Sequence, residues 1–133
     1  MGSQQTVKGD IAELKFAYEA RRRGFNVNFP AGSDSEYDCI IESKGNIFRV
    51  QIKSTKTKEK DKNCYRINAT YGSKRDKIYS KEVCDLIAVY VNDIDSFYLI
   101  PVEALASSTI RVYPDDPNFK DGYEQYQDNW KGL

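Results

Sequence analysis

Asp38, Gln51 and Lys53 make the pattern with the clearest chemical content: an acid on one β-rich run, a short Gly-containing connection, then Gln-X-Lys on the next run. Phosphodiester hydrolysis needs a hard divalent cation held by oxygen atoms, together with a positive group that orients the nucleophile and offsets developing charge. Asp38 offers a carboxylate oxygen, Gln51 an amide oxygen, the Ile52 carbonyl a further oxygen, and Lys53 an ammonium. Alternate residues of a strand share a face, so Gln51 and Lys53 project to the same side, about 7 Å apart. One phosphate could then meet both cation and ammonium. By itself the pattern is short and polar, as a solvated strand face would also be.

Composition narrows the alternatives. The chain has no His, which removes Ser-His-Asp and Cys-His triads, His-ligated zinc and a His general base. Its three Cys are an odd number and none lie at metal-finger spacing, so neither a disulfide framework nor a zinc ribbon is expected. Cys39 and Cys84 are flanked by apolar residues and read as core. Carboxylates, amides, Lys and Tyr remain as the chemical groups. No apolar run approaches the ~18 residues that span a bilayer, and the first residues lack the apolar centre of a signal peptide, so a soluble, cytoplasmic protein without a membrane partner is expected. At 133 residues the chain fits one domain, with its core over about 8–113 and an acidic C-terminal segment at 114–133.

The overall charge of zero conceals a segregation. Residues 1–52 carry seven Lys/Arg and seven Asp/Glu, 53–81 carry ten and three, and 82–133 carry three and ten, for net charges of 0, +7 and −7. The basic middle third is interleaved with Tyr65, Tyr71, Tyr79, Asn68 and Ser73. Lys and Arg neutralise phosphates while Tyr and amides contact sugars and bases, so this block reads as a nucleic-acid surface. Its candidate contacts are Lys56, Lys58, Arg66, Asn68, Tyr71, Lys74, Arg75 and Lys77, with Lys8 and Ser54 beside the motif. The acidic last third reads as solvated, or as lying against a basic surface of another subunit.

Several elements must position these groups. Ile11, Leu14 and Tyr18 with Ala12, Ala17 and Ala20 recur at helical spacing from Gly9 to Arg23, with Thr6 or Asp10 as a cap and Gly24 as a stop. Phe25 to Phe29 alternates as a strand. Tyr37–Ser43 and Ile47–Ser54, joined by Lys44-Gly45-Asn46, read as an antiparallel hairpin. Further strands are expected at 64–70, 86–91, 97–100 and 109–113, a helix or turn at 80–84, and a helix start at Pro101–Leu105. The apolar run Leu86–Val91 suits a strand covered on both faces. This order indicates an α/β or α+β domain with helices packed on a sheet. Asp85 reads as an anchor for the entry to its strand.

The sequence resembles the PD-(D/E)XK nuclease superfamily, most closely its small branch of intron-encoded homing endonucleases, from about Lys8 to Leu105. The residues that carry the likeness are Gly9-Asp10-Ile11-Ala12-Glu13, Tyr37-Asp38, Val50-Gln51-Ile52-Lys53-Ser54, and Asp85 to Tyr90 followed by Leu99-Ile100-Pro101. The resemblance implies an α/β, restriction-endonuclease-like core: a central mixed β-sheet flanked by helices. It implies that Glu13, Asp38 and Gln51 gather around Mg²⁺, for which Mn²⁺ can substitute, with Lys53 as the catalytic lysine. Tyr37 stands where the motif has proline. Gln51 stands where it commonly has a carboxylate, bringing one less negative charge to the cation, and is shared with the intron-encoded branch.

The implied activity is a metal-dependent endonuclease cutting double-stranded DNA at specific sites, as a homodimer or homotetramer that matches two target halves. Three alternatives stay open: a Holliday-junction-type resolvase, a catalytically inactive nucleic-acid-binding module of the same fold, and a structural or protein-interaction domain. The bland reading of Glu13 is a surface carboxylate paired with Arg21 or Lys8. That of Arg21-Arg22-Arg23 is a charge cluster favourable to a helix C-terminus.

Overall fold

The computed structural model describes residues 4–55, 58–59, 63–71, 77–116 and 122–133. Lys56, Lys74 and Arg75, all expected on the nucleic-acid surface, lie outside the described residues.

Helix α1 spans Gln4–Arg22. Gly24 ends it at φ +93°, where a Cβ would be strained. Its N–H donates to Arg21 O at 3.0 Å and the Phe25 N–H donates to Ala20 O at 3.1 Å, the double closure of a Schellman motif. Thr6 and Asp10, expected as caps, lie inside the helix because it begins earlier. The face turned to the sheet carries Ala12, Phe16 and Ala20, all fully buried. Two alanines let the helix approach closely while Phe16 fills the space between them. Ile11, Leu14 and Tyr18, which mark the helical period, point to solvent instead.

Strands β1 (Asn26–Asn28), β2 (Cys39–Ser43), β3 (Asn46–Thr55), β8 (Leu86–Val91) and β9 (Ser96–Pro101) form a five-stranded sheet in the order β1-β2-β3-β8-β9. The β2–β3 turn is tighter than expected, because Asn46 already pairs with Ser43. Lys44 and Gly45 make it alone at φ +53° and +85°. Two positive φ angles give a hairpin turn whose twist suits the strands. All pairings in this sheet are antiparallel except β3–β8, so the sheet is mixed.

The chain between β3 and β8 builds β4 (Lys58–Glu59), β5 (Cys64–Asn68), β6 (Thr70–Tyr71) and β7 (Lys77–Ile78), and β10 (Thr109–Val112) returns beside β5. A small sheet of order β10-β5-β4 results, with β6 and β7 as a separate pair. The expected strand 64–70 is therefore broken at Ala69, whose N–H goes to Ser108 O at 2.7 Å.

Two cores separate the layers. Phe16, Cys39, Ile41, Val50, Leu86, Ala88 and Tyr90 pack between α1 and the large sheet. Ile67, Ile87, Val89, Val91, Tyr98 and Ile110 pack between the two sheets. β8 is buried along its whole length, as its unbroken apolar run requires. α1 is the only α-helix among the described residues, and the small sheet covers the face of the large sheet that α1 does not. Pro101 ends β9, and Val102–Ala104 is a single 3-10 turn where a helix start was expected.

Past Pro114 the chain returns to the core. Trp130 is buried with its ring centroid 5.4 Å from Phe16, and Tyr123 is buried in the other core. The Asp128 N–H donates to Phe97 O at 2.8 Å, and Ser96 Oγ donates to the Asp128 carboxylate at 3.0 Å. All three cysteines are buried and none is in a disulfide. Burial pushes the Cys39 and Cys84 thiols up to about 12, so neither is a nucleophile at neutral pH. No described helix is long and apolar enough to cross a membrane.

Candidate active site

The hairpin register sets the site. Cys39 lies opposite Val50, and Asp38, at the bend just before β2, sits beside Val50–Ile52 of β3. From there Asp38 feels the charge of Lys53, two residues beyond Gln51 on the same strand. Asp38 is tied down at both ends: its N–H donates to Val50 O at 2.8 Å, and its Oδ2 accepts the Ile52 N–H at 2.7 Å. The N–H and C=O of one strand residue point to the same edge. Beyond Asp38 that edge of β3 has no β2 partner, so the Ile52 carbonyl points into the same gap as the Asp38 carboxylate.

α1 brings the second carboxylate. Glu13 follows buried Ala12 and emerges at the rim of the helix–sheet contact, hydrogen-bonded to Asp38. Arg21, the salt-bridge partner of the bland reading, donates instead to Phe25 O at 3.0 Å and Asn26 Oδ1 at 3.3 Å. Arg22 and Arg23 both pair with Glu19, and Arg23 also lies 4.8 Å over the Trp130 ring. The arginine triplet is thus largely structural.

Burial, the neighbouring Asp38 charge and the shared hydrogen bond hold the Glu13 carboxyl above the ordinary carboxylate range, with a smaller contribution from Asp10. Burial also raises Asp38, against the lowering effects of the Ile52 N–H, the Glu13 hydrogen bond and the Lys53 ammonium. Two partly desolvated carboxyls therefore compete to ionise. This is a site a divalent cation suits, since it would relieve the repulsion between them. No three Asp, Glu, His or Cys side chains converge among the described residues. The Ile52 carbonyl adds a further oxygen beside the pair, of the hard kind Mg²⁺ takes.

Lys53 sits next to this set, with Nζ 5.3 Å from the Tyr79 ring centroid. Tyr79 is buried and stacks on Tyr71 at 4.9 Å. The ring thus holds the Lys53 ammonium by a cation–π contact while its charge still acts on Asp38. Tyr79 was counted among the tyrosines interleaved with the basic block, and its burial takes it off the surface. Tyr65, another of them, lies in the core with its hydroxyl donating to Asp93 at 2.8 Å. The support that Lys53 receives from Tyr79 was not legible, because 26 positions separate them and only folding joins them.

A cleft of about 280 Å³ opens from Lys53 and Ser54 onto Arg66, Ile67, Asn68 and Thr70. Arg66 and Asn68 are exposed on β5. Arg111 and Thr109 on β10 lie directly opposite them and were missed, since they fall outside the basic block. Lys77 is exposed, 5.9 Å from the Tyr71 ring, and Lys8 is exposed on α1. Lys58 is engaged by Asp115 at 2.7 Å and Asn63 at 2.9 Å, so part of the acidic segment answers the basic block within one chain. Asp85 is an anchor, as expected: it accepts the Arg49 N–H at 2.8 Å, Arg49 Nε at 3.1 Å and Lys81 Nζ at 3.3 Å.

The model of the PD-(D/E)XK endonuclease family matches residues 3–132. The chain belongs to this family. A solved bacterial homing endonuclease, I-Ssp6803I, superimposes with a TM-score of 0.82 at 27% identity, covering 97% of this chain and 92% of that one. No curated protein matches the chain. The family bears out the resemblance drawn from the sequence, the mixed sheet is that of a restriction-endonuclease-like fold, and family members use divalent metals. This PD-(D/E)XK endonuclease accordingly resembles a homing endonuclease over nearly its whole length.

Proposed function

We propose that this endonuclease hydrolyses phosphodiester bonds of double-stranded DNA at specific sites, with Mg²⁺ or Mn²⁺, as a homodimer or homotetramer in which two subunits address the two strands. What supports this reading is the meeting of Glu13 from α1 with Asp38 beside Gln51 and Lys53. Asp38, Glu13, Gln51 and the Ile52 carbonyl would hold the cation, which supplies Lewis acidity at the scissile phosphate.

The protein's own groups do the rest. The Ile52 N–H fixes Asp38 Oδ2, leaving Oδ1 to face the site. The Lys53 ammonium orients the attacking water and offsets charge developing on the phosphate. Arg66 and Asn68 on the cleft wall, with Ser54, Tyr71, Lys77 and Lys8, contact the DNA beside the cut; Arg and Asn pair well with guanine and adenine edges.

A cleavage assay over supercoiled plasmid, linear duplex, four-way junction and RNA, with Mg²⁺, Mn²⁺ or EDTA, tests this. Metal-dependent duplex cleavage abolished in Asp38→Ala and Lys53→Ala is the expected result. Full activity in Lys53→Ala would sink the mechanism, preference for junctions would reassign the substrate, and salt-sensitive binding without cleavage would mark a module that only grips DNA.

A further inference from the structure

β5 and β10 carry their polar side chains on one outer face. On β5, Arg66 and Asn68 are exposed while Tyr65 and Ile67 are buried; on β10, Thr109 and Arg111 are half-buried while Ile110 and Val112 are buried. The register sets Arg111 opposite Arg66 and Thr109 opposite Asn68, and opposed residues share a face with their side chains about 5 Å apart. β4 pairs only with Tyr65 and Cys64, so at Arg66–Asn68 the described sheet narrows to a ribbon of two strands. Such a ribbon fits the major groove of B-DNA, about 12 Å wide.

Two clefts adjoin this face. One joins Arg66 and Asn68 to Lys53, and the other, of about 410 Å³, starts at Thr109 and Arg111 and runs to Tyr113 and Tyr123. The path away from the candidate active site therefore crosses both strands. Like charges directly opposite in a sheet repel, so an arginine pair placed in this way gains from a polyanion laid across it. Arg, Asn and Thr also match the donors, acceptors and methyl groups of base edges, whereas a grip on phosphates alone would carry no sequence information.

We infer that Thr109 and Arg111 are specificity-determining residues: with Arg66 and Asn68 they form a β-ribbon that reads base edges in the major groove, Arg111 taking a guanine. Half of this reading surface then comes from the otherwise acidic last third of the chain. Cross-strand neighbours lie about 5 Å apart and successive base pairs about 3.4 Å apart, so Arg111 reads within about two base pairs of Arg66. The inference rests on the DNA-binding part of the proposed function and not on cleavage.

The test is selection of bound duplexes from a pool of randomised DNA by the full chain, in EDTA so that no cleavage intervenes, followed by sequencing. Wild type is expected to enrich a guanine that Arg111→Ala no longer enriches, with discrimination there falling about tenfold or more, while the positions that depend on Arg66 keep their preference. Arg111→Gln turns that position toward adenine, a change that a merely structural role for Arg111 does not produce. Thr109→Ala relaxes a neighbouring position. The inference is overturned by wild type that binds without sequence preference, by an Arg111→Gln consensus identical to that of wild type, or by an Arg111→Ala protein weakened equally on all sequences, as loss of a phosphate contact would be. No binding at low salt overturns the proposed function with it, whereas Arg111-dependent selection without cleavage supports the ribbon and sinks only the nuclease mechanism.

Discussion

Asp38 accepts the buried Ile52 N–H at 2.7 Å and lies against the Glu13 carboxyl, which raises the cost of its charge, so substitutions there act on stability with opposite signs. Asp38→Ala leaves the Ile52 N–H without its acceptor, at a cost of about 1–3 kcal/mol. At about 3–5 °C per kcal/mol for a chain of this size, the melting temperature falls by roughly 3–15 °C. Asp38→Asn keeps an acceptor oxygen and removes a charge that the fold disfavours.

The pH dependence follows from the direction of the shifts. Both carboxyls are raised in the folded state. Their contribution is fully present below the unfolded carboxylate pKa and is lost as pH rises through the higher folded values. In EDTA, Asp38→Asn therefore matches wild type near pH 4 and becomes more stable than wild type toward pH 8, whereas Asp38→Ala stays below Asp38→Asn throughout. Mg²⁺ at about a hundred times its dissociation constant stabilises wild type by about 2.7 kcal/mol, or roughly 8–13 °C, and neither variant responds. Thermal melts across this pH range with EDTA or Mg²⁺ provide the assay. Asp38→Asn melting together with Asp38→Ala, or retaining the Mg²⁺ response, refutes the reasoning.

Three further outcomes are expected. Gln51→Glu restores a negative charge beside Asp38 and tightens Mg²⁺ binding by about tenfold or more, measured by calorimetry without DNA. Asp85→Asn weakens the charge-assisted bonds from Arg49 and Lys81 and costs about 1–3 kcal/mol at pH 7 in urea unfolding. Burial alone would raise Asp85, but its hydrogen bonds and the Arg49 charge outweigh this and lower it, so the difference from wild type is present above the ordinary carboxylate range and fades as pH falls through the depressed value. Trp130→Ala opens a cavity against Phe16 and Phe25 and costs about 3–5 kcal/mol, read as a fall in denaturation midpoint; an unchanged midpoint would mean that the C-terminal segment does not support the core.

Much of the site was legible because β structure has a period of two. The alternation of β3 placed Gln51 and Lys53 on one face, Lys44-Gly45 announced a turn, and Leu86–Val91 announced a strand without a solvated side. Helices were read less well. Ile11, Leu14 and Tyr18 signalled α1 correctly, but a helix has a full circle of faces, and only packing selects Ala12, Phe16 and Ala20 as the inner one. The small sheet was not foreseen as a layer, since its strands pair β5 with β10 some forty residues away, and no local signal carries that pairing.

The sequence by itself determined the donor types, the strand phase that aligns Gln51 with Lys53, and the absence of His chemistry, because these depend on residue identity and local geometry alone. Tertiary structure decided what surrounds them. It set Glu13 against Asp38, freed the edge of β3 at Ile52, laid Lys53 over Tyr79 and turned the Val7–Tyr18 stripe outward. Each of these joins groups distant in sequence or chooses among helix faces, and such choices are made by the packing of whole layers.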